Sequence, residues 1–86
     1  MEVNQLISIV KKKIEEKILV QNILIEDKTY LHLKHSSHES GKFHIVLKIS
    51  SEELNKYSKI DATKKIYKIL DYEIKKYIHS IQISIN

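Results

Sequence analysis

Residues 43–49 read Phe43-His44-Ile45-Val46-Leu47-Lys48-Ile49, and their alternation decides the fold. Phe43, Ile45, Leu47 and Ile49 share one face of an extended chain, while His44, Val46 and Lys48 share the other, the period-2 pattern of a half-buried strand. His44 therefore reads as an ordinary exposed residue on the side away from the core. Upstream, Val20 to Glu26 carries the β-branched run Ile23-Leu24-Ile25 and predicts a second strand, with Asp27-Lys28-Thr29 as its turn. Between the two lie residues 31–42, Leu-His-Leu-Lys-His-Ser-Ser-His-Glu-Ser-Gly-Lys, which are polar, rich in His and include the one glycine, Gly41. The two strands are expected to pair as an antiparallel hairpin with a long loop, and long loops in compact domains are often functional.

Helical periodicity flanks this hairpin. Leu6, Ile9, Val10 and Ile14 recur at helical spacing within residues 4–17, amid Lys11, Lys12, Lys13, Glu15 and Glu16, and Asn4 is a candidate N-cap. After the second strand, Ser50 and Glu53 stand at capping-box spacing and predict a short helical turn. Ser58 and Asp61 repeat the signal and open a second helix with Ile66, Tyr67, Leu70, Ile74 and Tyr77 along one face. Lys64, Lys68, Lys75 and Lys76 lie largely outside that stripe. The chain then alternates again, with Ile81, Ile83 and Ile85 separated by Gln82 and Ser84, as a half-buried strand does. The predicted order is α-β-β-α-β. An α+β arrangement with a three-stranded sheet and helices on one face buries every apolar stripe.

With 86 residues, no proline and no linker or repeat, residues 1–86 read as one continuous domain. The sequence contains no cysteine, so it can supply no disulfide, zinc thiolate or catalytic thiol. The start of the chain lacks the basic segment and apolar run of a signal peptide. No apolar stretch approaches the roughly 20 residues that span a bilayer, so a cytoplasmic location without membrane contact is expected. The formal net charge is +4, and all fifteen basic residues are Lys. Lys is a flexible point charge, whereas Arg is the planar fork that reads guanine edges bidentately. Such a charge suits diffuse attraction better than base readout, and a Lys-, Ile- and Asn-rich composition also accompanies AT-rich coding. No nucleophile elbow, oxyanion-type Gly turn, phosphate-cradling Gly pattern or convergent carboxylate pair is visible, so a binding function is expected in place of catalysis.

From Ile25 onward the chain resembles the BolA-like family. Asp27-Lys28-Thr29-Tyr30-Leu31-His32 resembles that family's D-x-S-x-x-[H/C] segment, and Lys42-Phe43-His44-Ile45-Val46 falls where it has an H-F-x-V strand. Ile66-Tyr67-Lys68-Ile69-Leu70 with Glu73-Ile74 resembles I-Y-x-x-L-x-x-E-I, and Ile78-His79-Ser80-Ile81 resembles I-H-A-L. The chain departs from the family pattern at Ala62-Thr63-Lys64, where R-H-R is usual, at Leu54-Asn55-Lys56 in place of F-x-G, and at Lys42 in place of His. The resemblance implies a class II KH-like fold. A chain with one glycine has no G-x-x-G loop of the kind that nucleic-acid-binding KH domains use.

The resemblance also implies a partner. BolA-like proteins pair with monothiol glutaredoxins and share a bridging [2Fe–2S] cluster whose thiolates come from the glutaredoxin Cys and from glutathione. On this chain the implied ligands are His79 and His32, with His35 and His38 as alternates. The implied role is iron–sulfur cluster handling or iron sensing, with a link to stress responses. The ordinary readings stand beside these: His79 as a cation at a helix C-terminus, His35 and His38 as solvated residues, and the Tyr residues mostly as packing. Lys64, Lys68, Lys75 and Lys76 are either a solvated face or a contact surface for a partner or for nucleic acid. Two other functions stay open, a DNA-binding transcriptional regulator with weak nucleic-acid contact, and a domain that makes only apo protein–protein contacts.

Overall fold

A computed structural model describes residues 1–29 and 42–86. Helix α1 spans Val3–Lys17, strand β1 Asn22–Asp27 and strand β2 Phe43–Ser50. A 3-10 turn over Leu54–Lys56 follows, then α2 at Lys59–Ile69, α3 at Asp71–Lys76 and β3 at Ile78–Ile85. The sheet order is β1-β2-β3, with β1 and β2 antiparallel and β2 and β3 parallel. Parallel neighbours need a crossover connection, and α2 and α3 supply it.

The predicted stripes form the core. Leu6, Val10 and Ile14 of α1 are completely buried, as are Ile66 of α2 and the junction residue Leu70. They meet Ile45, Leu47 and Ile49 of β2 and Ile85 of β3, also buried. Alternation shows that the helices cover only one face of the sheet. Lys48, Ser80, Gln82, Ser84 and Leu24 point the other way and are exposed.

Several local expectations are corrected. Asn4 does not cap α1; the helix begins at Val3 after Glu2, with no side-chain cap. The turn after β2 is capped by Ser51 and not Ser50. The buried Ser51 Oγ donates to the Leu19 carbonyl (2.7 Å) and accepts from the Leu54 amide (3.1 Å). Ser58 does cap α2, accepting from the Asp61 amide at 3.1 Å. The second helix is broken at Leu70 (φ −98°, ψ 14°). Tyr67 does not join the core and is exposed, together with Tyr57 and Tyr72, while Tyr77 is half-buried.

Candidate metal-binding end of the sheet

The N-terminal ends of the parallel strands β2 and β3 meet the C-terminal end of β1. The chain around Asp27 is knotted to β2 by short bonds. The Thr29 amide donates to Asp27 Oδ1 at 3.0 Å, and the Thr29 hydroxyl donates to the same oxygen. Thr29 Oγ1 also accepts from the His44 amide at 3.1 Å, and the Lys28 amide donates to the His44 carbonyl at 2.8 Å. The hydroxyl at position 29 thus joins the two strands, a physical use for the D-x-S element of the motif. On the other side, the Phe43 amide donates to the Tyr77 carbonyl at 2.9 Å, which places the α3–β3 junction against the start of β2.

His79 stands at that junction on an irregularity. Phe43 is paired with Ile78, but His44 is paired with Ser80, so His79 is an extra residue between two rungs of the ladder. Such a bulge re-aims side chains. Here it lets Ile78 and Ile81 both face the helices although they stand three positions apart, an odd offset that would put them on opposite faces of a regular strand, and it leaves His79 and Ser80 together on the exposed side. The parity break between Ile78 and the Ile81, Ile83, Ile85 series was the sequence signal for it.

His44 is the main correction. It is buried, at 5% exposure, and not an exposed strand residue. Its Nδ1 shares a 2.6 Å hydrogen bond with Ser80 Oγ, and its ring lies 4.9 Å from the His79 ring, tilted by 57°. His44 also lines a shallow cleft of about 340 Å³ on the open sheet face with Lys28, Val46, Ser80 and Gln82. Nothing in the local alternation signalled this, because the cover over His44 comes from a strand 36 residues away.

The remaining candidates separate. His32, His35 and His38 lie outside the described residues. Thr29 and Lys42, which flank residues 30–41, are both at the His79 end of the sheet through the bonds of Thr29 to His44 and of Phe43 to Tyr77. Lys64 and Lys68 are exposed on α2. Lys75 pairs with Asp71 at 3.1 Å. Lys76 donates to the Tyr72 hydroxyl at 3.0 Å, a bond that holds the Tyr72 phenol below its usual 10 and the Lys76 ammonium above its usual 10.5. Among the described residues no group of three or more His, Asp or Glu side chains converges as a metal site, and no helix is long and apolar enough to cross a membrane.

A three-stranded sheet covered on one face by helices, in the order α-β-β-α-α-β, defines a small α+β domain. The chain belongs to the BolA-like protein family, whose sequence model matches residues 14–86. No curated protein sequence matches it. Among solved structures it is similar to the BolA domain of SufE1 from Arabidopsis thaliana (TM-score 0.77, 24% identity, covering 92% of this chain and 87% of that one). It is also similar to BolA1 from Arabidopsis thaliana (0.77, 20%, 91% and 86%) and to a bol-like protein from Babesia bovis (0.71, 14%, 91% and 79%). At these identities the likeness concerns the fold.

Proposed function

We propose that this chain is a non-catalytic accessory protein that pairs with a monothiol glutaredoxin and contributes imidazole ligands to a shared [2Fe–2S] cluster. The observation that carries this reading is the placement of His79, an exposed imidazole on a bulge beside both flanks of the His-rich segment. The donor chemistry fits a contributor and not an owner of a cluster. Imidazole on one iron is a known ligand set, and a Cys-free chain must take its thiolates from elsewhere. His79 is the first ligand from this chain, and His32 the second, with His35 and His38 as alternates. The cluster itself supplies a labile, redox-active centre suited to iron–sulfur handling or iron sensing. The chain's part is to hold a neutral imidazole at a fixed place and present a surface to the glutaredoxin.

Co-expression with a monothiol glutaredoxin, followed by visible absorption and circular dichroism of the purified pair, tests this. The expected result is a 1:1 complex with a [2Fe–2S] chromophore that His79→Ala abolishes or makes labile, while the chain alone stays colourless. A stable cluster on the isolated chain, or a wild-type spectrum and stability in His79→Ala, overturns the reading.

A further inference from the structure

β3 forms one edge of the sheet and β1 the other, and the two edges differ in chemistry. β1 ends on Glu26 and Asp27, and Glu26 is paired with Lys28 at 3.3 Å and with Lys48 at 3.4 Å. Charged side chains of this kind blunt an edge against pairing with another strand. β3 carries no such device. It spans eight residues, has no proline, and lies within residues 77–86, the longest run of the sequence without Lys, Asp or Glu. The Asn86 amide donates to the Ile49 carbonyl at 2.8 Å, so residues 82 and 84 turn their amides and carbonyls toward β2. Ile81, Ile83 and Ile85 turn theirs outward, because these groups alternate along a strand. The Ile85 carbonyl accepts from Lys59 Nζ at 3.0 Å. Among the described residues, no hydrogen bond reaches the outward groups of Ile81 and Ile83, and their side chains are only half-buried.

We infer that the outer edge of β3 is an interface for a second copy of this chain, paired antiparallel about a two-fold axis at Gln82. This goes beyond the cluster reading and does not rest on it. An antiparallel pair of identical edges is self-complementary, so each copy supplies the donors and acceptors that the other lacks. In the register centred on Gln82, Ile81 stands opposite Ile83 of the second copy and exchanges both backbone bonds with it. Every outward amide and carbonyl of Ile81 and Ile83 is then used. A register centred on Ile83 would instead need the Ile85 carbonyl, which Lys59 already holds. On the open face Gln82 meets Gln82 and Ser80 meets Ser84, all exposed and uncharged, while on the helix face the half-buried Ile81 and Ile83 cover one another. Two chains of net charge +4 repel, and this edge is where they meet without bringing Lys against Lys. A single pair of edge strands buries less than the roughly 1,200 Å² of standard stable interfaces, so the association is weak and reversible. The charges on β1 keep the joined sheet from adding further copies at its other ends.

Sedimentation velocity of the chain alone, from about 10 μM to about 1 mM, tests this and should show a monomer–dimer equilibrium. Gln82→Lys sets two ammonium groups against each other at the axis, and at an exposed position it keeps the fold. That variant is expected to stay monomeric. Because the sequence has no cysteine, a single introduced one reports the register. The two Gln82 residues form a non-hydrogen-bonded pair with Cα atoms about 4.5 Å apart, within disulfide reach. Gln82→Cys should therefore oxidise to a covalent dimer with unchanged far-ultraviolet circular dichroism. Ser84 stands opposite Ser80, so the two Ser84 residues are roughly 14 Å apart, beyond disulfide reach. Ser84→Cys, also at an exposed position, should crosslink at least about tenfold more slowly. A chain that remains monomeric at about 1 mM, a dimer that survives Gln82→Lys, or equal crosslinking of the two Cys variants overturns the inference.

Discussion

Removing Lys13 should cost more stability than removing the residue it is paired with. Lys13 Nζ lies 2.8 Å from Glu73 Oε1, joining α1 to α3 across 60 residues. The Glu73 side chain is only 5% exposed, whereas that of Lys13 is 38% exposed. At that separation two unit charges attract by about 6 kcal/mol at an effective dielectric near 20 and by about 1.5 kcal/mol in bulk water. Partial exposure of Lys13 moves the pair toward the lower figure, and ordering a Lys side chain offsets up to about 2 kcal/mol. Lys13→Met nevertheless leaves a carboxylate out of water without its cation. Breaking a fully buried pair this way costs about 3–5 kcal/mol, and with the screening here about 2 kcal/mol is expected. For a domain of this size that lowers Tm by roughly 8–16 °C. Glu73→Leu leaves Lys13 free to extend into water, so it should cost under about 1 kcal/mol, and the double variant Lys13→Met/Glu73→Leu should return close to wild type. Urea and thermal denaturation of the four proteins close the cycle. Equal losses for the two single variants, or a double variant as unstable as Lys13→Met, would refute the argument that the buried carboxylate is the costly partner.

Three further outcomes follow from local geometry. Ser51→Ala strands the Leu19 carbonyl and the Leu54 amide and should cost about 1–3 kcal/mol by urea denaturation, whereas Ser50→Ala should stay within about 0.5 kcal/mol. Glu26 is held below its ordinary 4.5, chiefly by its hydrogen bond and charge contact with Lys28 and then by Lys48. A depressed folded-state value means that the contribution is present above 4.5 and is lost as pH falls through the lower folded value, because the unfolded chain binds the proton first. Urea midpoints of wild type should therefore fall more steeply than those of Glu26→Gln as pH drops below 4.5 at low salt, and parallel curves would refute the assignment. DNA binding should be weak, steep in salt and nearly blind to sequence, since Lys neutralises phosphate without reading bases. A preference of about tenfold for one duplex over a scrambled one at physiological salt, read by fluorescence anisotropy, would revive a regulator reading.

The α-β-β-α-β order, the core faces of β2 and β3 and the buried stripe of α1 were legible in the sequence, because they follow from periodicities of two and 3.6 within single segments. The motif residues Asp27, Thr29 and His79 were legible too, as a resemblance spread along the chain. What the linear pattern did not contain was any relation between strands. His44 alternates out of the core and reads as exposed, yet Ser80 and His79 cover it. Ser50 and Ser51 offer the same capping chemistry, and only the approach of Leu19 selects Ser51. Tyr67 falls on the helical stripe, but the break at Leu70 divides the single helix on which that stripe was drawn, and Tyr67 stays exposed. Amphipathic periodicity is a local property of one element in water. The register between β2 and β3, and with it the bulge that turns His79 out beside His44, is set by how Ile78 and Ile81 both reach one core, a condition that exists only once the elements have packed.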